Sequence, residues 1–300
     1  MRRGVNVAGV FDADSTTAVE AIDPATFDMI IEGGFDTVRL PVRWTAHTAT
    51  SAPFAIDEGF ADLIDEAVAA ATGRGLEVII DFHHAHELMV DPTRHEPRFT
   101  TIWQQLGERF ADWPPAVAFE LLNEPRQPMT AQQWNRLLRT GVDAVRRTNT
   151  DRRVLIGPVS MNTIAELSTL DLPDDPNLVA TVHYYEPFTF THQGATWEAG
   201  ASDWLGTTWG GDEDERQVRH DLETAATWAR DRAVPLLLGE FGAYERADLD
   251  SRLRWTRTVR VEAERLEIPW CYWDLATDFG VYDPVTNSWR TDLRDALLGP

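Results

Sequence analysis

The stretch Leu76-Glu77-Val78-Ile79-Ile80-Asp81-Phe82-His83-His84 is apolar for most of its length and ends abruptly in two histidines. A hydrophobic run this continuous suits a parallel strand covered on both faces. Beyond it, the amphipathic pattern over Phe99–Asp112 predicts a helix, and Val117–Leu122 returns to strand character just before Asn123-Glu124-Pro125. Strand, helix and strand make one crossover unit, and the same alternation runs to both ends of the chain. Strands are predicted at Gly4–Val10, Thr37–Leu40, Leu76–Phe82, Val117–Leu122, Val154–Pro158, Leu178–His183, Leu236–Gly239 and Pro269–Trp273. Helices are predicted at Glu58–Thr72, Phe99–Asp112, Ala131–Arg147, Val218–Arg232, Asp248–Glu267 and Leu293–Leu298. Eight strand–helix units in one series favour a closed (β/α)8 barrel, the TIM barrel of the α/β class, over an open sheet. No Pro/Gly/Ser-rich linker or low-complexity segment divides the chain, so residues 1–300 are expected to form a single catalytic domain.

The composition narrows the partners. With a net charge of −22 and a pI of about 4.6, the surface repels phosphate backbones, so no nucleic-acid partner is expected. A neutral polymer is compatible with that charge. There is no lysine, and all 27 basic residues are arginine, as a GC-rich genome or a salt-rich habitat would favour. Cys271 is the single cysteine, which rules out an intramolecular disulfide and a cysteine-based zinc site. The chain enters a predicted strand directly after Met1-Arg2-Arg3 and carries no apolar run able to span a bilayer. The expectation is a protein without a membrane partner, either cytoplasmic or with a leader removed, and monomeric.

In a barrel of this kind the reactive groups collect at the C-terminal ends of the strands. Here those ends read Arg39-Leu40-Pro41, His83-His84, Asn123-Glu124-Pro125, His183-Tyr184-Tyr185, Glu240-Phe241-Gly242 and Trp273-Asp274. Packing alone does not explain apolar strands that end repeatedly in Arg, His, Asn, Glu and Trp. Pro125 is expected to hold Glu124 extended, and Glu240 leaves the buried run Leu236-Leu237-Leu238-Gly239 directly. A lone glutamate at a strand end could serve as a helix cap or an ion-pair partner. Two of them, on the fourth and seventh strands, can instead face each other across a sugar, and a retaining glycosidase needs them about 5–5.5 Å apart.

The segments Arg39-Leu40-Pro41-Val42, Asp81-Phe82-His83-His84, Asn123-Glu124-Pro125, His183-Tyr184-Tyr185, Gly239-Glu240-Phe241-Gly242 and Tyr272-Trp273 resemble glycoside hydrolase family 5. Six motifs in order, each on its own strand end, are specific where a bare Asn-Glu-Pro is not. The stretches His183–Trp197 and Gly239–Thr258 look especially like the compact bacterial endoglucanases of that family, some of which also take mannan. The resemblance implies a retaining endo-β-1,4-glucanase, with β-mannan and then β-1,3- or mixed-linkage glucan as the next substrates. It implies Glu124 as acid/base and Glu240 as nucleophile. Asn123 would bind the sugar 2-hydroxyl, while Arg39 and Tyr185 would support Glu240. His83, His84 and His183 would line the subsite of the sugar being cleaved, and Trp273 would form its platform.

The stretch Glu186–Arg216 is the longest without predicted regular structure and is a candidate cleft wall. Its His192, Trp197, Trp204 and Trp209 are candidate outer-subsite contacts, as is Trp44. The string His84-Ala85-His86-Glu87 invites a metal reading, but it continues a strand end and lacks a supporting carboxylate motif, so no metal or other cofactor is expected. Asp212-Glu213-Asp214-Glu215 lacks calcium-ligand spacing and reads as a solvated acidic turn. After the first strand, Ala8-Gly9-Val10-Phe11-Asp12 departs from the Gly-Asn pair usual in the family, and no substrate contact is assigned to that loop. The rival classes are a carbohydrate-binding barrel that has lost catalysis and a metal-dependent barrel hydrolase.

Overall fold

The computed structural model describes residues 1–13 and 19–299. Eight parallel strands close on themselves in chain order. They are β1 (Arg3–Asn6), β2 (Thr37–Val42), β3 (Glu77–Phe82), β4 (Val117–Glu120), β5 (Val154–Ile156), β6 (Leu178–Tyr184), β7 (Leu236–Phe241) and β8 (Trp270–Tyr272). Gly4 closes the ring, pairing with Thr37 on one side and Cys271 on the other. The major helices are α1 (Pro24–Glu32), α2 (Glu58–Thr72), α3 (Pro92–Arg109), α4 (Ala131–Arg146), α5 (Asp212–Asp231), α6 (Leu249–Arg265) and α7 (Thr291–Leu298). The expected (β/α)8 barrel is therefore the observed fold. Between β5 and β6 the described chain has only short turns, Val159–Asn162 and the 3-10 segment Ile164–Thr169, in place of a long helix.

Several limits differ from the sequence reading, three of them for identifiable local reasons, and one helix went unpredicted. β1 stops at Asn6 because the chain then turns, with Gly9 at φ +82° and its amide donating to Asp12 Oδ1 at 2.7 Å. α3 starts at Pro92, well before Phe99, because Asp91 caps the amide of Arg94 and Pro92 occupies the first turn, where its missing N–H costs nothing. The acidic run 212–215 is the first turn of α5 and not a loop turn. Negative charge is favourable there, beside the unpaired amides of a helix start. α1 went unpredicted because it has nine residues and buries only Phe27 and Ile30, too few for a readable period.

Inside the barrel the strands stack their side chains in layers, as a period of two requires. One layer is wholly apolar: Ile79, Ala118, Leu155, Val179, Leu237 and Cys271, with Met1 packed against it. Two residues further along β3, β4 and β7 come Asp81, Glu120 and Gly239. The chain thus switches from apolar to charged within one repeat, directly beneath the mouth.

Candidate active site

The upper layer is organised by Arg39, which is fully buried on β2. Its Nε and Nη2 donate to the two oxygens of Glu120 at 2.7 and 3.0 Å, and Nη1 donates to Glu240 Oε1 at 2.7 Å and Asn6 Oδ1 at 2.9 Å. Nη2 also donates to Asn123 Oδ1 at 2.8 Å and lies 3.0 Å from Asp81. Burial works against the charge of Arg39, but Asp81, Glu120 and Glu240 outweigh it and hold its pKa well above the ordinary value. One planar cation with five donors can serve several carboxylates at once, which a lysine could not do.

Glu240 is the penultimate residue of β7, where a register shift between Val182 and His183 of β6 sets His183 opposite it. Besides the bond from Arg39, Glu240 accepts from the Tyr185 hydroxyl at 2.8 Å. Glu124 stands just past β4 with φ +46°. That left-handed backbone corrects the expectation that Pro125 holds it extended: the turn carries the carboxyl over the mouth, a form of local strain common at functional sites. Glu124, His183 and Glu240 each bring one polar atom within 4.8 Å of the others, so the two carboxyls meet across less than one sugar's width. Burial pushes both carboxyls up to about 7, and Glu124 further raises Glu240 against the pull of His183 and Arg39. The two glutamates titrate as a pair. Glu240 accepts from Arg39 and Tyr185, whereas Glu124 has His183 Nδ1 at 3.0 Å and the Arg126 guanidinium at 3.5 Å beside it.

The remaining predicted residues fall into three groups. Asn123, His83, His84, His183 and Trp273 all line a cleft of about 920 Å³ beside both glutamates. The rings of His83 and Trp273 are parallel with centroids 5.8 Å apart. His83 Nδ1 is in close hydrogen-bond contact with buried Asp81, and burial lowers the His83 pKa to about 3, leaving a neutral ring. Among the outer candidates, His192 and exposed Trp197 also line the cleft, with His192 packed edge-on against Tyr185. Three candidates do not belong to it. Trp44 is fully buried and packs on Phe60 in the core, and Trp209 is buried with its backbone bonded to Ser251 and Arg254 on α6. Trp204 packs on Phe188 behind the cleft wall. Aromatic content in a loop does not report which way each ring points.

Sequence reasoning missed four groups. Asn6, Asp81 and Glu120 are buried polar side chains inside apolar strands, and Asp12 brings its carboxylate within 4.8 Å of the His83 and His84 nitrogens. The signal for the first three was available, because a charged residue at an inward position of a barrel strand needs a partner in the same layer. His86 is not part of the Asp12 cluster; it opens the short helix His86–Val90.

Residues 3–278 match the family model of cellulase, glycosyl hydrolase family 5. The chain is 32% identical to endoglucanase H of Acetivibrio thermocellus over 280 residues, covering 91% of this chain and 30% of that protein. It is 28% identical to endoglucanase A of Ruminococcus albus, covering 99% of this chain and 90% of that one. Among solved structures, Thermotoga maritima Cel5A in complex with cellobiose superposes with a TM-score of 0.95 at 38% identity, covering 99% and 97% of the two chains. The same enzyme has been solved with mannotriose, at 37% identity and the same TM-score. The chain belongs to glycoside hydrolase family 5. Among the described residues, no helix is long and apolar enough to cross a membrane.

Proposed function

We propose that this chain is a retaining endo-β-1,4-glucanase, acting as a single catalytic barrel and as a monomer. The observation that carries the mechanism is the approach of one oxygen each of Glu124 and Glu240 to within 4.8 Å. That separation suits direct attack on the sugar, whereas an inverting pair leaves about 6.5–9.5 Å for a water between them. Glu240, ionised and held by Arg39 and Tyr185, attacks the anomeric carbon. The glycosidic C–O bond breaks, and Glu124 gives its proton to the departing oxygen. A glycosyl ester of Glu240 results, and its neutral carbonyl no longer opposes ionisation of Glu124. Glu124 then takes a proton from water, the water attacks the same carbon, and Glu240 leaves as a carboxylate. Asn123 is set to bond the 2-hydroxyl and Trp273 to present an apolar face to the pyranose.

The names of its relatives support glucan as the substrate, and the mannotriose complex of the Thermotoga maritima enzyme supports β-mannan as a second. A screen of carboxymethylcellulose, glucomannan, lichenan and laminarin with product sizes resolved tests both, and short oligomers from carboxymethylcellulose are the expected result. Binding without turnover would favour a carbohydrate-binding barrel. Loss of activity in EDTA with rescue by zinc would favour a metal-dependent hydrolase.

A further inference from the structure

Between β5 and β6 the chain makes a turn that no sequence period announces. Ser160, Met161 and Asn162 have φ of 59°, 64° and 56°, three consecutive non-glycine residues in the left-handed region. Each such residue costs about 1 kcal/mol or more, so the surroundings must hold them there. The turn is tied on by the Met161 amide, which donates to the Pro125 carbonyl at 3.2 Å, and by the bridge between Thr163 and His183. It sends two side chains in opposite senses. Met161 is exposed on the cleft lip, and Asn162 is fully buried behind it. Gly157 makes room for the buried amide: a Cβ there would sit 2.2 Å from Asn162 Oδ1.

Asn162 has one side-chain contact that matters for chemistry. Its Nδ2 lies 3.3 Å from Nε2 of His183, while Nδ1 of the same ring lies 3.0 Å from Glu124 Oε1 and 3.5 Å from Glu240 Oε2. We infer that Asn162 is a positioning residue that holds His183 as the Nδ1–H tautomer, so that the ring donates to Glu124 and does not accept from it. Two separate arguments agree on the direction. A neutral imidazole carries one N–H, and an amide donating to Nε2 leaves that N–H on Nδ1. Turning the amide over would bury two orphaned N–H groups, whereas the present orientation pairs one N–H and leaves Oδ1 without a partner, and carbonyl oxygens tolerate that better. On the other side, Nδ1 faces two carboxylates, of which Glu240 is ionised, and a lone pair pointing there would be repelled.

The consequence rests on Glu124 being the acid/base. With Oε1 occupied by the ring N–H, the transferable proton resides on Oε2, which has the half-exposed Arg126 guanidinium 3.5 Å away. The same bond stabilises the ionised Glu124 needed to activate water. Other ionisable groups facing this pair are Glu240 on β7, Arg39 on β2, Glu120 on β4, and Arg126 and Tyr185 beyond β4 and β6. All of them are unchanged by a substitution at Asn162.

The test reads the tautomer without turnover, by long-range proton–nitrogen correlation spectra of the full chain labelled at histidine nitrogens, with His183→Asn for assignment. A protonated Nδ1 and bare Nε2 in the wild type are the expected result, and a protonated Nε2 overturns the inference even if no variant folds. The companion variant is Asn162→Gly, which suits the left-handed backbone and removes only the amide. On a dinitrophenyl β-cellobioside, whose leaving group needs no proton, kcat should fall about tenfold, as for one hydrogen bond lost from the second step. KM should fall by a similar factor, because kcat/KM reports only the first step. On an unactivated cello-oligosaccharide, whose leaving group needs the proton, the basic limb of kcat/KM should move to higher pH as Glu124 loses a donor. An unchanged pH profile with only a lower melting temperature would reduce Asn162 to a structural role. The assignment of Glu124 itself is tested separately by Glu124→Ala.

Discussion

Two layers of the same barrel, one side-chain repeat apart, do opposite things with the same strands. The lower layer of Ile79, Ala118, Leu155, Val179, Leu237 and Cys271 is apolar and buried. The upper layer packs Arg39 against Asp81, Glu120, Asn6 and Glu240, all similarly buried. The first gains stability from removal of apolar surface from water. The second places three carboxyls around one guanidinium, an arrangement whose desolvation cost rivals its attraction. The comparison teaches that the ends of these strands are not built for stability. They hold charge in fixed positions under the cleft, and the apolar layer beneath supplies the rigidity.

The sharpest way to break the comparison is at the reacting atoms. Glu240→Gln should lower turnover by about 10⁴-fold or more while melting stays near wild type; substantial residual activity in a folded variant would remove Glu240 from the nucleophile's role. Next is Glu124→Ala, with an expected loss of about 10²–10⁴-fold on polymer and much less on activated aryl cellobiosides. Added azide should restore turnover and yield a β-glycosyl azide. Equal losses on both substrate types, with no azide product, would count against the acid/base assignment.

A paired substitution separates the layers. Arg39→Met strands three buried carboxyls and should cost about 3–5 kcal/mol as well as abolishing activity. Leu155→Ala, in the lower layer, should cost about 2–5 kcal/mol through its cavity, yet leave kcat per folded molecule nearly unchanged. Denaturant melts alongside active-site-titrated rates would show whether that division holds. The smallest effect is expected at Tyr185→Phe, about tenfold in kcat/KM. Losing that donor raises the pKa of Glu240, so the acid limb should move up. The basic limb follows Glu124: its proton, required for leaving-group departure, is lost as pH rises through about 7, and kcat/KM should fall there. A profile flat to well above 8 would contradict the buried, protonated acid.

The strand order, the barrel and the two glutamates were legible because they depend on periodicity and on reactive residues recurring at strand ends, both local patterns. α2 matched its predicted limits of Glu58 and Thr72, since Asp57 caps its start and Gly73 follows its end. Other features had no local signature. The burial of Trp44 and Trp209, the left-handed turn at 160–162, and the convergence of Asn6, Asp81 and Glu120 on Arg39 depend on residues up to 114 positions apart, counting from Asn6 to Glu120. By itself, the sequence determined which side chains were available for chemistry and on which strand each would stand. Closure of the barrel decided which of them meet, because strand register and a single bulge at Val182/His183 set distances of an ångström or two that no linear pattern encodes.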